Sequence, residues 1–148
     1  MPGVVCAIRG GPASQETVNI ALKLAREKAL PLTFLYVVNI DFLSRTASSR
    51  VQLIIEELHQ MGDFILLHAQ ESAQAQGIPA SGVIRRGEVG EEIINLCQEI
   101  EADIVVLGRP QGQEGADVFD HQKLDVFSKM IESTSGARVM IVDGTGDE

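Results

Sequence analysis

The sequence has no Trp and a single Tyr, Tyr36, and aromatics make up only 4% of its 148 residues. A core without large rings must be filled by Ile, Leu, Val and Ala, the filling of a parallel sheet covered by helices. Cations are also scarce, with 12 Lys and Arg against 21 Asp and Glu, a formal net charge of −9. That balance argues against broad nucleic-acid binding, which needs Lys and Arg to replace the counterions of phosphates, and it disfavours an anionic membrane surface. No apolar run is long enough to span a bilayer. The start, MPGVVCAIRGG, has neither the basic n-region nor the long h-region of a secretory signal. The two cysteines, Cys6 and Cys97, are far apart in apolar contexts and form no CxxC, so they read as reduced core thiols. The cytoplasm is the expected compartment.

Most catalytic and metal motifs are missing too. No G-x4-GK[ST] loop occurs, and RGGPAS after the first apolar run is not G-x-G-x-x-G. His59 and His68 are nine positions apart, which is not the i, i+4 spacing of a metal pair on a helix. His121 lies among acids and reads as a solvated loop residue rather than a ligand acting with Asp117 or Asp120. Neither Ser14 nor Ser128 has a His and a supporting acid in a recognisable triad motif. No catalytic residue and no metal are expected, and the chain is not expected to be an enzyme.

What is present is a regular alternation of strand and helix. GVVCAI (3–8) is a short buried strand closed by the turn cluster Arg9-Gly10-Gly11-Pro12. Ser14 caps a helix running to about Ala29, with Val18, Ala21, Leu22 and Ala25 on one face. LTFLYVV (32–38) is a second strand without polar alternation. From Ser48 to Gln76 the residues Val51, Ile54, Ile55, Leu58, Met61, Ile65 and Ala69 mark one buried stripe, and Gly77-Ile78-Pro79 ends that helix. Ala80 to Arg86 is a weaker strand. Glu88 or Val89 to Glu101 is a helix facing inward through Ile93, Ile94, Leu96, Cys97 and Ile100, whereas Glu56, Glu57, Glu91 and Glu92 face solvent. DIVVLG (103–108) is the clearest strand. Lys123 to Ser133 makes a fourth helix through Leu124, Phe127, Met130 and Ile131, ARVMIV (137–142) a fifth strand, and residues 143–148 a frayed acidic tail. The pattern specifies one α/β domain over residues 1–148, a parallel sheet with right-handed crossovers and helices on both faces.

In such a sheet the ligand crevice lies beyond the carboxyl ends of the strands, where the strand order reverses. If the first and fourth strands are central neighbours, Arg9-Gly10-Gly11-Pro12 meets VVLGRPQGQEGADVFDHQKLD (105–125) there. The second stretch opens on glycines that suit a phosphate, yet it carries Glu114, Asp117, Asp120 and Asp125. Arg9 and Arg109 follow the carboxyl ends of the two strands, and with Arg85 and Arg86 they supply groups that can take a phosphate or carboxylate bidentately. The bland reading is that these arginines pair with Glu114, Asp117 or Asp120 and fold the loop down.

These residues resemble the universal stress protein (UspA-like) family. The likeness is carried by LTFLYVV, by IRRGEVGEEIINLCQEIEADIVVLG and by RVMIVD, and it covers nearly the whole length. It implies a five-stranded parallel sheet in the order 3-2-1-4-5, a Rossmann-like arrangement of the adenine nucleotide alpha hydrolase type. Many members bind ATP through G-x2-G-x9-G-[ST] after the fourth strand. Here the first glycine maps to Gly108 and the next to Gly112, one residue late, and the closing Gly-Ser falls at Leu124-Asp125 or Asp125-Val126. Arg9 stands where ATP-binding relatives usually have Asp, and the position whose main chain contacts adenine in them maps to Val37. An Asp125 cap at the helix start would repel a phosphate by about 3 kcal/mol, taking about 5 Å and an effective dielectric near 20.

Two readings follow. In the first, the protein is a non-enzymatic stress-response module whose standard ATP site is lost or remodelled, with no cofactor, acting as a homodimer through the last strand (Arg138 to Asp143) and through a protein partner. Pairing is favoured because an exposed apolar edge strand is a liability. In the second, it binds ATP or AMP through Arg9, Val37, Gly108, Arg109 and Gly112. A hydrolase or phosphatase would depend on His121 or Asp120.

Overall fold

Each expected strand forms, and the sheet order follows the resemblance. The computed structural model describes residues 3–8, 12–38, 48–108 and 121–142. They make β1 (Val4–Ala7), α1 (Pro12–Lys28), β2 (Leu32–Val38), α2 (Ser48–Ala75), β3 (Ala80–Arg86), α3 (Val89–Ile100), β4 (Ile104–Gly108), α4 (His121–Ser135) and β5 (Arg138–Val142). All pairings are parallel and the order is β3-β2-β1-β4-β5. Register sets Val4 beside both Leu32 and Ile104, so the strands most apolar in sequence are the central ones.

Alternate residues of the central strands feed two separate cores, as the two-residue strand period requires. Val4, Cys6, Phe34, Tyr36 and Val106 face α1 and α2. Val5, Leu35, Val105 and Leu107 face α3 and α4. The four residues expected on the inner face of α1 are all buried. On α3, Ile93, Leu96 and Cys97 are buried, with Ile94 and Ile100 partly so.

Several expectations require correction. Helix α1 begins at Pro12, not after a Ser14 cap; proline suits the first helical position, where its missing N–H costs nothing. In α2 the buried line runs through Ile55, Gly62, Leu66, Ala69 and Ala73, and it leaves Met61 exposed. The cause is Gly62, where a Cβ would lie 2.5 Å from Tyr36 Cδ2. The helix meets the sheet most closely there, which rotates the preceding residue outward. The side chain of Val51 lies outside the described residues.

On α4, Ile131 is fully buried but Met130 is half-exposed, because neighbouring positions on a helix point 100° apart and only one can face the sheet. The side chains of Leu124 and Phe127 lie outside the described residues. Glu92 is largely covered rather than solvent-facing, and its Oε1 sits 3.8 Å from Arg85 Nη1.

Candidate functional site

The strand order reverses between β1 and β4: β1 leads through α1 to β2 on one side, and β4 leads through α4 to β5 on the other. The crevice of the fold therefore opens past Ala7 and Gly108. Of the residues assigned to a nucleotide from sequence, Gly108 ends β4 and Val37 is the penultimate residue of β2. One strand separates them, a spacing of about 10 Å. Arg9, Arg109 and Gly112 lie outside the described residues, as do Glu114, Asp117 and Asp120.

Gly108 is set by packing. A Cβ at this position would meet Thr17 Oγ1 at 2.9 Å. Thr17 is almost fully buried on α1, between the strand ends and Val18, Ala21 and Ala25 on the same helix face. Its carbonyl also accepts the Cys6 thiol at 3.9 Å. Sequence reasoning passed over Thr17, although it lies four and eight positions before Ala21 and Ala25, in register with the apolar stripe. A polar residue in that register has to be satisfied where it is buried.

The N-terminus of α3 also lies at the carboxyl rim, and its own acid occupies it. Glu88 is the cap, with an Oε1 that accepts from the Glu91 N–H at 2.8 Å, and Glu91 and Glu92 fill the first turn. Carboxylates satisfy the helix dipole there and leave no place for a phosphate. Just before the cap, Gly87 has φ 145° and donates its N–H to the Val38 carbonyl at 3.1 Å, tying β2 to the β3–α3 turn. Only glycine adopts that φ without strain.

Arg85 and Arg86 part to opposite faces of β3. Arg85 grips Glu99 on α3 with both guanidinium nitrogens, Nη2 to Oε1 at 2.6 Å and Nη1 to Oε2 at 3.0 Å. The hydrogen bond from Arg85 holds the Glu99 carboxyl below the usual carboxylate range, and the same bond raises the Arg85 pKa. Among the described residues its partners are thus Glu99 and Glu92 on α3. Arg86 is exposed and lines a cleft of about 390 Å³ against α2, with Gln52, Ile55, Glu56, His59 and Gln60.

The start of α4 differs from expectation. The helix begins at His121, so His121 is not a loop residue, and position 125 lies in the second turn. Asp125 is therefore not the helix cap. The N–H groups of Asp125 and Val126 are spent on carbonyls four residues earlier, as in any helix interior. Where the Gly-Ser of ATP-binding relatives aligns with Asp125-Val126, those positions thus offer no free backbone donor.

Among the described residues, no buried side-chain nitrogen or oxygen lacks a hydrogen-bond partner, and no group of three or more His, Cys, Asp or Glu could hold a metal ion. His59 pairs within its own helix, 3.7 Å from Asp63. Burial pushes the Cys97 thiol up to about 12 and raises Cys6 as well, so neither is an activated nucleophile. No helix among the described residues is long and apolar enough to cross a membrane.

A universal stress protein family model matches residues 2–119. The chain is 24% identical over 147 residues to the universal stress protein YxiE of Bacillus subtilis (strain 168), covering 94% of this chain and 97% of that protein. Among solved structures it is similar to the universal stress protein UspA from Lactobacillus plantarum, at a TM-score of 0.77 and 15% identity over 95% and 97% of the two chains. It is also similar to a universal stress protein in complex with cAMP, at a TM-score of 0.68 and 19% identity over 97% and 98%. The sheet order agrees with these likenesses and the family model spans well over half of the residues, so the chain belongs to the universal stress protein family.

Proposed function

We propose that this chain is a non-catalytic regulatory domain of the universal stress type that works through association, with itself and with a protein partner, and whose ATP site has been remodelled. The observation that carries the reading is the start of α4 at His121. It puts Asp125, which both alignments of the Gly-Ser pair include, inside a helix turn whose N–H groups are already bonded. The packing role of Gly108 against Thr17 and the acid-filled N-terminus of α3 support the same reading. With those features accounted for, what remains of the phosphate motif is the offset Gly112.

A second reading is favoured by the relative in complex with cAMP. A nucleotide with one phosphate needs fewer backbone donors than ATP. Arg9 and Arg109 would take its phosphate, and the Val37 main chain its base. Calorimetric titration of ligand-free protein with ATP, AMP and cAMP distinguishes the two. The first reading expects no heat from ATP at millimolar concentration, and micromolar ATP affinity would overturn it. Heat from AMP or cAMP that disappears in Arg9→Ala would establish the second reading as an added property of the crevice.

A further inference from the structure

Helix α2 carries an unpartnered apolar face whose surroundings specify the charge of what covers it. Phe64 is 73% exposed, Leu53 57%, Leu67 55% and Met61 53%. They stand opposite the buried line of Ile55, Gly62, Leu66, Ala69 and Ala73. Isolated exposed apolar residues need no explanation, but four on one helix face form a patch of the kind that marks an interaction site. The inner face holds α2 rigidly. Gly62 sits against the Tyr36 ring with no room for a Cβ, and Leu66, Ala69 and Ala73 are buried beneath it. The outer residues are therefore presented on a fixed rod.

Beyond its first turn, the fixed charge on this rod has one sign. From Val51 to Ile84 the sequence contains no Lys or Arg. Glu56 and Glu57 flank Leu53, and Asp63 and Glu71 flank Phe64 and Leu67, all four acids exposed. Arg50, one turn before Leu53, is the only fixed cation of the helix. A second copy laid on this face would bring the same acids against it, in a chain of net charge −9. Like charges across an interface are a barrier to association. An anionic lipid surface is disfavoured for the same reason.

We propose that the outer face of α2 docks an amphipathic, Lys- or Arg-bearing helix of another protein, with Phe64 and Leu67 as the apolar anchors and Glu57 and Glu71 pairing its cations. Apolar anchors on a helix laid along another helix recur three and four residues apart, which matches Phe64 and Leu67. A polar rim of opposite charge steers the partner in and sets its register. The inference supplies a partner for the associating role proposed above, and it fails independently of the nucleotide titration.

The test is fluorescence anisotropy on the full chain, with labelled model peptides of about five helical turns. One is an amphipathic Leu/Lys helix, one a Leu/Glu helix of the same pattern, and one a Ser/Lys peptide of the same charge without apolar anchors. The Leu/Lys helix should bind at least tenfold more tightly than either control. Phe64→Ser with Leu67→Ser, and separately Glu57→Lys with Glu71→Lys, should each weaken it about tenfold or more. All four positions are exposed, and an unchanged melting curve verifies the fold of each variant. Equal binding of the Ser/Lys peptide would mean bulk charge attraction and overturn the proposal. So would unchanged affinity in the Phe64/Leu67 variant. Sedimentation that turns a dimer into a monomer on Phe64→Ser would assign the face to a second copy and overturn it too.

Discussion

An added methyl at Gly108 would lie 2.9 Å from Thr17 Oγ1, closer than a Cβ is found to any neighbouring heavy atom. Thr17 is β-branched and buried, so its hydroxyl has little freedom to move aside. Gly108→Ala should therefore destabilise the chain by about 1–3 kcal/mol, the usual cost of overpacking. The conflict is pairwise, so Thr17→Ala should recover part of it. A double-mutant cycle by urea unfolding should give a coupling of about 1 kcal/mol, and strict additivity would show that the glycine serves something other than Thr17. At this scale the sequence is legible only in part. The motif located Gly108 at the end of β4, but a glycine kept for a ligand and one kept for a helix look the same in a string. The signal that separates them is Thr17, a hydroxyl in the register of Ala21 and Ala25. Asp125 is not the cap for a related reason, since a cap can be placed only once the first turn is known, and that turn begins at His121.

Strands were more legible than helix faces. β2 and β3 have the bounds their apolar runs suggest, β1 is shorter by one residue at each end, and β4 and β5 each start one residue later. A short apolar run closed by a turn leaves little choice. The inner face of α2 was less determinate, because Met61 fits a helical repeat as well as Gly62 does, and the contact that decides between them is with Tyr36 on β2, which no local pattern in the helix reports. Between elements, the Arg85–Glu99 pair is the clearest tie the sequence did not reveal, joining β3 to α3 across thirteen intervening residues. Its pH dependence follows from the direction of the shift. The Glu99 carboxyl is held below its ordinary value by Arg85, so the stability it contributes is full above the unfolded glutamate pKa of about 4.3. That contribution is lost as pH falls through the lower folded value, while Arg85 stays charged. Glu99→Gln should therefore melt lower than wild type by a few degrees at most near neutral pH, the pair being half-exposed and screened by solvent. The two melting curves should converge in acid below the carboxylate range. A gap that persists unchanged in strong acid would show that the contribution comes from packing rather than charge.

At the scale of the molecule, the sheet has two edges, and they are guarded differently. On β3 the two arginines and the turn to α3 close the end of the strand, and Arg85 is tied down by Glu99. β5 is apolar, RVMIV, with Val139, Met140 and Ile141 only partly covered. The Arg138 N–H is spent within the sheet on the Asp103 carbonyl at 2.9 Å. Ladder alternation then turns the Val139 and Ile141 N–H groups outward. Glu132 on α4 accepts the first of these, with Oε2 3.2 Å from the Val139 nitrogen. An acid is thus placed where a second copy would add its strand, so the pairing expected from sequence competes with a contact inside the chain. We expect a dimer through β5 that strengthens when this contact is removed. Sedimentation velocity at micromolar concentration should show Glu132→Ala with a larger dimer fraction than wild type. Ile141→Pro removes an outward N–H without breaking the β4–β5 ladder, and edge strands tolerate proline there; it should yield monomer. If wild type and Glu132→Ala both sediment as monomers, β5 is a guarded edge rather than an interface, and association must use another face of the molecule.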